Sequence, residues 1–154
     1  MLNSQPSAAA LHATMLLTIA EKSVLVRRDT VETFCGLDAE KISHAIDEGR
    51  FRWVFDFNNG GRAIRELRFL ALEIFRPEVA KPFALENAIQ IILGETRQSF
   101  GGGDIVRRFR VSRQTLGCLH HAGHLPGVIS GGTITVSRAA METFLRTRWI
   151  GGGK

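Results

Sequence analysis

The fold is decided by residues 111–126, which read Val111-Ser112-Arg113-Gln114-Thr115-Leu116-Gly117-Cys118-Leu119-His120-His121-Ala122-Gly123-His124-Leu125-Pro126. Ser112 is a residue type that caps the first turn of helices, and Gly123 is the type that ends them. Between these two, Leu116 and Leu119 lie at helical spacing on one side. The stretch therefore predicts a short capped helix with a single apolar stripe.

A second copy of this pattern lies 74 residues earlier, in residues 37–52. Asp38 takes the capping position, Ile42 and Ala45 take the two apolar positions, and Gly49 takes the terminating position. Few residues are identical, but every physical role recurs. The chain therefore reads as an internal repeat.

Each copy predicts the same order of elements. A supporting helix, at about 31–35 or 104–109, turns into the capped helix, and extended residues around a glycine turn then lead to a closing helix at 65–75 or 137–149. This order is a helix-turn-helix followed by a β-wing. The fold class predicted is mainly α with small β-wings (α+β), as two tandem winged helix-turn-helix units joined by an apolar helix.

The predicted domain boundaries follow the glycine and proline positions. We expect a disordered N-terminus, a diverged first unit, a linker helix, a second unit and a disordered tail, at 1–14, 15–76, 77–100, 101–150 and 151–154. Gly101-Gly102-Gly103 is interpreted as a hinge. The alternation of Trp53, Phe55 and Phe57 is typical of a strand that packs on the core. The apolar helix around 84–98 must be buried or paired, and we expect it to form a homodimer.

Composition excludes several classes of protein. The 154 residues are 44% apolar, and no apolar run approaches the ~20 residues that span a bilayer, so no membrane partner is expected. Residues 1–14 contain no Lys or Arg, so no signal peptide is expected. Two cysteines, Cys35 and Cys118, are too few for a disulfide framework and indicate a reducing cytoplasm.

The sequence motifs that mark common classes of enzyme are missing. There is no Walker-type glycine loop, no nucleophile elbow and no pair of carboxylates beside a histidine. His120, His121 and His124 lack an acidic partner at helical spacing, which argues against a metal site. We therefore expect no enzyme, no cofactor, no metal and no small-molecule substrate.

Positive charge is concentrated in the C-terminal part of the chain. Residues 1–99 hold 12 Lys and Arg against 13 Asp and Glu, whereas residues 100–154 hold 8 against 2. The second part therefore carries a net charge of +6, with four arginines between positions 107 and 113. Such clustering suits a surface that faces phosphates, although a solvated surface that maintains solubility is the competing interpretation.

The C-terminal copy resembles the excisionase or MerR-like winged helix-turn-helix family. The resemblance covers about 45 residues and rests on Asp104-Ile105-Val106, Phe109 to Leu116, Ala122 to Pro126, and Gly131 to Leu145. The chain departs from the family at Gly117 and Cys118 on the second helix and at Ser130-Gly131-Gly132 on the wing, where large or basic residues are usual. These departures imply limited direct reading of bases.

The resemblance implies a sequence-selective protein that binds double-stranded DNA. It would act as a transcriptional regulator or as an excisionase-type recombination directionality factor of a phage or mobile element, in the bacterial cytoplasm and associated with the nucleoid. The predicted DNA-binding residues are Arg107, Arg108, Arg110, Ser112, Arg113, Gln114, Thr115, His121, Arg138, Arg62, Arg65 and Arg68. We expect the C-terminal copy to insert its helix in a major groove and the N-terminal copy to follow the backbone with a basic wing.

An adaptor or phage assembly module with the same fold is the alternative function. It would hold a protein partner through the apolar helix at 84–98 and the neutral wing. A DNA-binding protein should show one continuous basic face that combines the arginines of both copies. An adaptor should instead expose an apolar patch.

Overall fold

The computed structural model describes residues 23–58 and 66–152. A first unit contains β1 (Leu25–Arg27), α1 (Arg28–Cys35), α2 (Ala39–Asp47), β2 (Val54–Asp56), β3 (Leu67–Leu70) and α3 (Ala71–Phe75). Two connecting helices follow, α4 (Pro77–Ala80) and α5 (Leu85–Leu93). A second unit contains β4 (Ser99–Gly101), α6 (Gly102–Phe109), α7 (Arg113–His121), β5 (Val128–Ser130), β6 (Thr133–Ser137) and α8 (Arg138–Arg148). The fold is α+β.

The two units share their order of elements and their strand order. Each has a three-stranded antiparallel sheet, ordered β1-β3-β2 in the first unit and β4-β6-β5 in the second. The first four elements of the second unit begin and end 74 residues after their counterparts. After that the spacing changes, because residues 57–66 connect β2 to β3 whereas only Gly131 and Gly132 connect β5 to β6.

The predicted caps are present in both units. The Asp38 carboxylate accepts a hydrogen bond from the Lys41 amide at 2.9 Å, and the Ser112 hydroxyl accepts one from the Thr115 amide at 3.0 Å. Each bond satisfies one of the amides that the first helical turn leaves without a partner. The residues that define the repeat therefore start α2 and α7 where the sequence predicts.

Three predictions, about a hinge, a helix boundary and a disordered tail, are wrong. Gly101-Gly102-Gly103 is not a hinge, since Gly102 is buried and a Cβ there would lie 3.1 Å from Cγ2 of Ile134. Residues 67–70 form a strand rather than the first part of a closing helix. Gly151, assigned to a disordered tail, is buried against the Arg52 carbonyl.

Both faces of the first sheet are buried. Val54, Leu67 and Phe69 lie in a core formed with α1 and α2. Trp53, Phe55 and Phe57 face the other way, into a larger core that they share with α5 and the second unit, and each is 0% exposed. The prediction that these aromatic residues pack on the core is confirmed, and the first sheet joins the two units.

The connecting helix α5 buries its apolar face within the chain. Ala88, Ile89, Ile92 and Leu93 are in the larger core. On the exposed side, Arg146 of α8 donates to Glu86 at 2.6 Å. A second chain is therefore not required to cover this helix. In the part of the chain described, no helix is long and apolar enough to cross a bilayer.

Candidate nucleic-acid interface

The turn between α6 and α7 positions the candidate interface. It contains Arg110 in a left-handed conformation, with φ of 56°, at the place where the first unit has Gly36 with φ of 66°. A side chain at positive φ costs roughly 1 kcal/mol or more. The second unit therefore needs support at this turn that the first unit does not.

Arg68 provides that support from β3 of the first unit. Its Nε donates to the Phe109 carbonyl at 2.9 Å and its Nη2 donates to the Arg110 carbonyl at 2.7 Å. These carbonyls are at the negative end of the α6 dipole, where a cation is favourable. Burial lowers the pKa of Arg68, and the neighbouring Glu66 carboxylate opposes this shift.

The prediction that Arg68 contacts DNA is wrong. The residue is 3% exposed, and its hydrogen bonds hold the supporting helix of the second unit. An isolated arginine in the middle of a strand looks like a surface residue in the sequence. The signal that could have identified its role was the replacement of Gly36 by Arg110, since an arginine at a left-handed position needs an outside contact.

The exposed residues of α7 and of the turn before it form the basic end of the site. Arg110, Arg113, Gln114 and His121 are all exposed. Arg113 is the first residue of α7, so its guanidinium lies at the start of a helix whose cap is satisfied. Ser112 also donates to Oγ1 of Thr115 at 2.9 Å, and these two hydroxyls therefore serve the cap first.

Arg107 is the most exposed arginine of the cluster that α6 carries. Its side chain is 78% exposed and donates to Asp104 at 2.7 Å. Asp104 also pairs with Arg97. In contrast, Arg108 donates to the Ile92 carbonyl at 3.0 Å, and burial, followed by the positive charge of Arg97, lowers its pKa.

Arg108 and Arg138 act as structural residues. Arg108 lies 5.6 Å above the Phe100 ring. Arg138 donates to the carbonyls of Gly94 and Arg97 at 2.6 and 2.8 Å, and its side chain is 12% exposed. Arg138 therefore holds the α5–β4 connection and Arg108 holds the last turn of α5. Their assignment as DNA contacts stays a prediction.

Every carboxylate described in the second unit is paired with arginine. Asp104 and Glu142 are the only acidic residues after position 99. Asp104 binds Arg97 and Arg107, whereas Glu142 binds Arg138 and also lies 3.9 Å from Arg146. The remaining exposed arginines therefore have no acidic competitor on this unit.

A groove of about 270 Å³ separates α7 from the β5–β6 hairpin. Arg113, Gly117 and His120 line one side, and Ile129 and Thr133 line the other. Apart from its chain neighbours and the backbone of its own helix, no atom lies within 4 Å of the place where a Cβ of Gly117 would be, so this glycine keeps the groove open. The groove brings a cation and a neutral hairpin together.

The predicted basic wing of the first unit lies only in part within the described residues. Its hairpin strands are buried, Arg50 pairs with Glu48 at 2.9 Å, and half-buried Arg52 lies 4.8 Å above the Trp53 ring. Arg62 and Arg65 lie outside the described residues. Its second helix, α2, exposes the carboxylates of Glu40 and Asp47, which phosphates would repel, beside Lys41 and His44.

No arrangement for a metal is found in the residues described. They contain no group of three or more His, Cys, Asp or Glu that could hold an ion. Cys35 and Cys118 are exposed free thiols. Partial burial of the Cys35 side chain raises the pKa of its thiol. In comparisons with known proteins, no family model, no curated protein and no solved structure matches this chain.

Proposed function

We propose that the chain binds double-stranded DNA through its second unit. The observation that carries the proposal is the start of α7. There Arg113, Gln114 and Arg110 are exposed, and Arg113 shares a groove with the β5–β6 hairpin. Each acidic residue described on the unit is already paired. On the second unit a polyanion would meet cations, neutral groups and carboxylates that are already paired with arginine. The Glu66 carboxylate of the first unit, which lines a pocket with Gln114 and Thr115, is likewise paired with Arg68 at 3.4 Å.

The proposed contacts follow from where each group lies. In the winged helix-turn-helix interpretation, α7 enters the major groove with its N-terminus, so that Arg113 and Gln114 reach base edges or phosphates. Arg107, Arg110 and His121 would contact the backbone. The protein would then be a transcriptional regulator or an excisionase-type factor acting on the bacterial nucleoid.

The first unit would act as a scaffold for the second. Its sheet is covered on both faces, and Arg68 fixes the α6–α7 turn. Each chain would therefore present one reading helix, and a long operator would need two chains. A homodimer through residues 84–98 would have to use the exposed side of α5, where Ile91 is 36% exposed.

Fluorescence anisotropy with duplexes selected from a randomised pool tests the proposal. We expect affinity to fall steeply as salt rises, since each neutralised phosphate releases a counterion. Arg113→Ala should weaken binding of the selected duplex by a factor of about 10–100 if it contacts a base. If Arg113 contacts phosphate instead, the salt slope should fall by about one.

Arg76→Ala is the matched control variant. The Arg76 side chain is 68% exposed and lies 3.8 Å from Glu78 in the connecting segment. The Arg76→Ala variant should have the same affinity for the duplex and the same salt slope as the unaltered chain. Equal losses for the two variants, or no binding of any duplex at low salt, would contradict the proposal.

A further inference from the structure

We propose that the outer edge of β5 binds an extended acidic peptide of a partner protein by strand addition. The inference does not rest on DNA binding. It starts from the strand order β4-β6-β5, in which β5 pairs only with β6. An unpaired strand edge is a template for another extended segment.

The backbone of Ile129 points its polar groups to this edge. Gly131 and Gly132 have φ values of 58° and 79°, as the two-residue turn of a tight hairpin requires. In such a hairpin the pair that flanks the turn, Ser130 and Thr133, is hydrogen-bonded. The next pair is not, so the N–H and C=O of Ile129 point away from β6.

The first unit shows how the equivalent edge is covered. There, Trp149 forms an antiparallel bridge with Phe55 of β2, and the Ile150 amide donates to the Val54 carbonyl at 3.0 Å. Phe55 corresponds to Ile129 by the 74-residue offset. Within the described residues no segment does this for β5, so the same position is filled in one unit and empty in the other.

The surface of β5 has the composition of a binding edge. Val128 and Ile129 are 70% and 59% exposed, more than any other large apolar residue described. No charged residue occurs between Leu125 and Ser137. Exposed edges are ordinarily protected by lysine, proline or inward charges, and this one carries none of these on the strand.

Charge identifies the occupant as an acidic peptide rather than a second copy of the chain. Two copies joined at β5 would bring together two regions of net charge +6. Ile129 also shares its groove with Arg113 and His120. A peptide with an apolar residue beside Ile129 and an acidic residue two positions away, on the same face of the added strand, satisfies the backbone, the exposed isoleucine and the nearby arginine together.

Anisotropy of a labelled synthetic peptide that repeats Val-Val-Asp-Asp, and so shows both residue types on each face of a strand, tests this inference when the peptide is added to the full chain without DNA. Ile129→Pro removes the outward amide, and we expect about fivefold to tenfold weaker binding. Ile129→Thr keeps strand propensity but removes apolar surface, and should weaken binding by about threefold to tenfold. Ile91→Thr, on α5, should have no effect. Circular dichroism and thermal unfolding check that each variant is folded.

The remaining outcomes decide against the inference. Equal affinity of Ile129→Thr and the unaltered chain would show that the peptide binds elsewhere. Equal affinity for a peptide with lysine in place of aspartate would show that the site does not select an acidic partner. A dimer in sedimentation that Ile129→Pro dissociates would make a second copy the occupant.

Discussion

The two sheets have the same strand order, and their surroundings are opposite. The first sheet is buried on both faces, and its β2 edge pairs with residues of the C-terminal segment. In the second sheet, β5 is exposed throughout, and no segment of the described residues pairs with its outer edge. The same strand order can therefore form a buried layer between two cores in the first unit and an exposed surface in the second.

The difference arises from residue types at equivalent positions. Val54, Phe55 and Phe57 give the first sheet large side chains on both faces. At the equivalent positions the second hairpin carries Val128, Ile129 and Gly131, so that an isoleucine and a glycine replace the two phenylalanines that fill the larger core. The first sheet therefore packs between the two cores, whereas α7 and the β5–β6 hairpin of the second unit remain exposed.

The largest expected effect separates Phe55 from its counterpart Ile129. Phe55→Ala should destabilise the fold by about 3–5 kcal/mol, because it leaves a cavity between the units. Ile129→Ala should change the free energy of unfolding by about 0.5 kcal/mol or less, since the residue is 59% exposed. Urea unfolding measures both. Similar losses of unfolding free energy at the two positions would show that the two sheets do not differ in their contribution to stability.

Removal of Arg68 tests how the first unit supports the second. Arg68→Met should cost about 3 kcal/mol, because the carbonyls of Phe109 and Arg110 lose their partners in a buried place. Arg76→Met, at an exposed arginine, should cost about 0.5 kcal/mol or less. Thermal unfolding compares the variants. A loss below about 1 kcal/mol for Arg68→Met would show that this contact does not hold the turn.

The smallest expected effect concerns the paired left-handed positions. Arg110→Gly should stabilise the fold by about 0.5–1 kcal/mol by relieving the strain at φ of 56°. Gly36→Ala, at φ of 66°, should destabilise it by about 1 kcal/mol. Denaturant titration resolves the signs. Destabilisation by Arg110→Gly would mean that contacts of the arginine side chain outweigh the strain.

The exposed positions at the start of α7 could be predicted from the sequence. The contacts that three arginines make elsewhere could not, and the reason is the same for each. Arg113 and Gln114 are exposed where the capped helix places them. Arg68, Arg108 and Arg138 are not free, because each donates to a main-chain carbonyl at least 16 residues distant in sequence. No local pattern distinguishes an arginine that faces solvent from one that reaches a distant carbonyl.

The sequence by itself determined the helix starts at Asp38 and Ser112, the terminating glycines, the 74-residue repeat and the strand character of Trp53 to Phe57. These depend on interactions between residues close along the chain. Only the tertiary structure decided which hairpin is covered and which arginines remain free. Both depend on which surfaces the two units bury against each other, and that choice is made by contacts between residues far apart in the sequence.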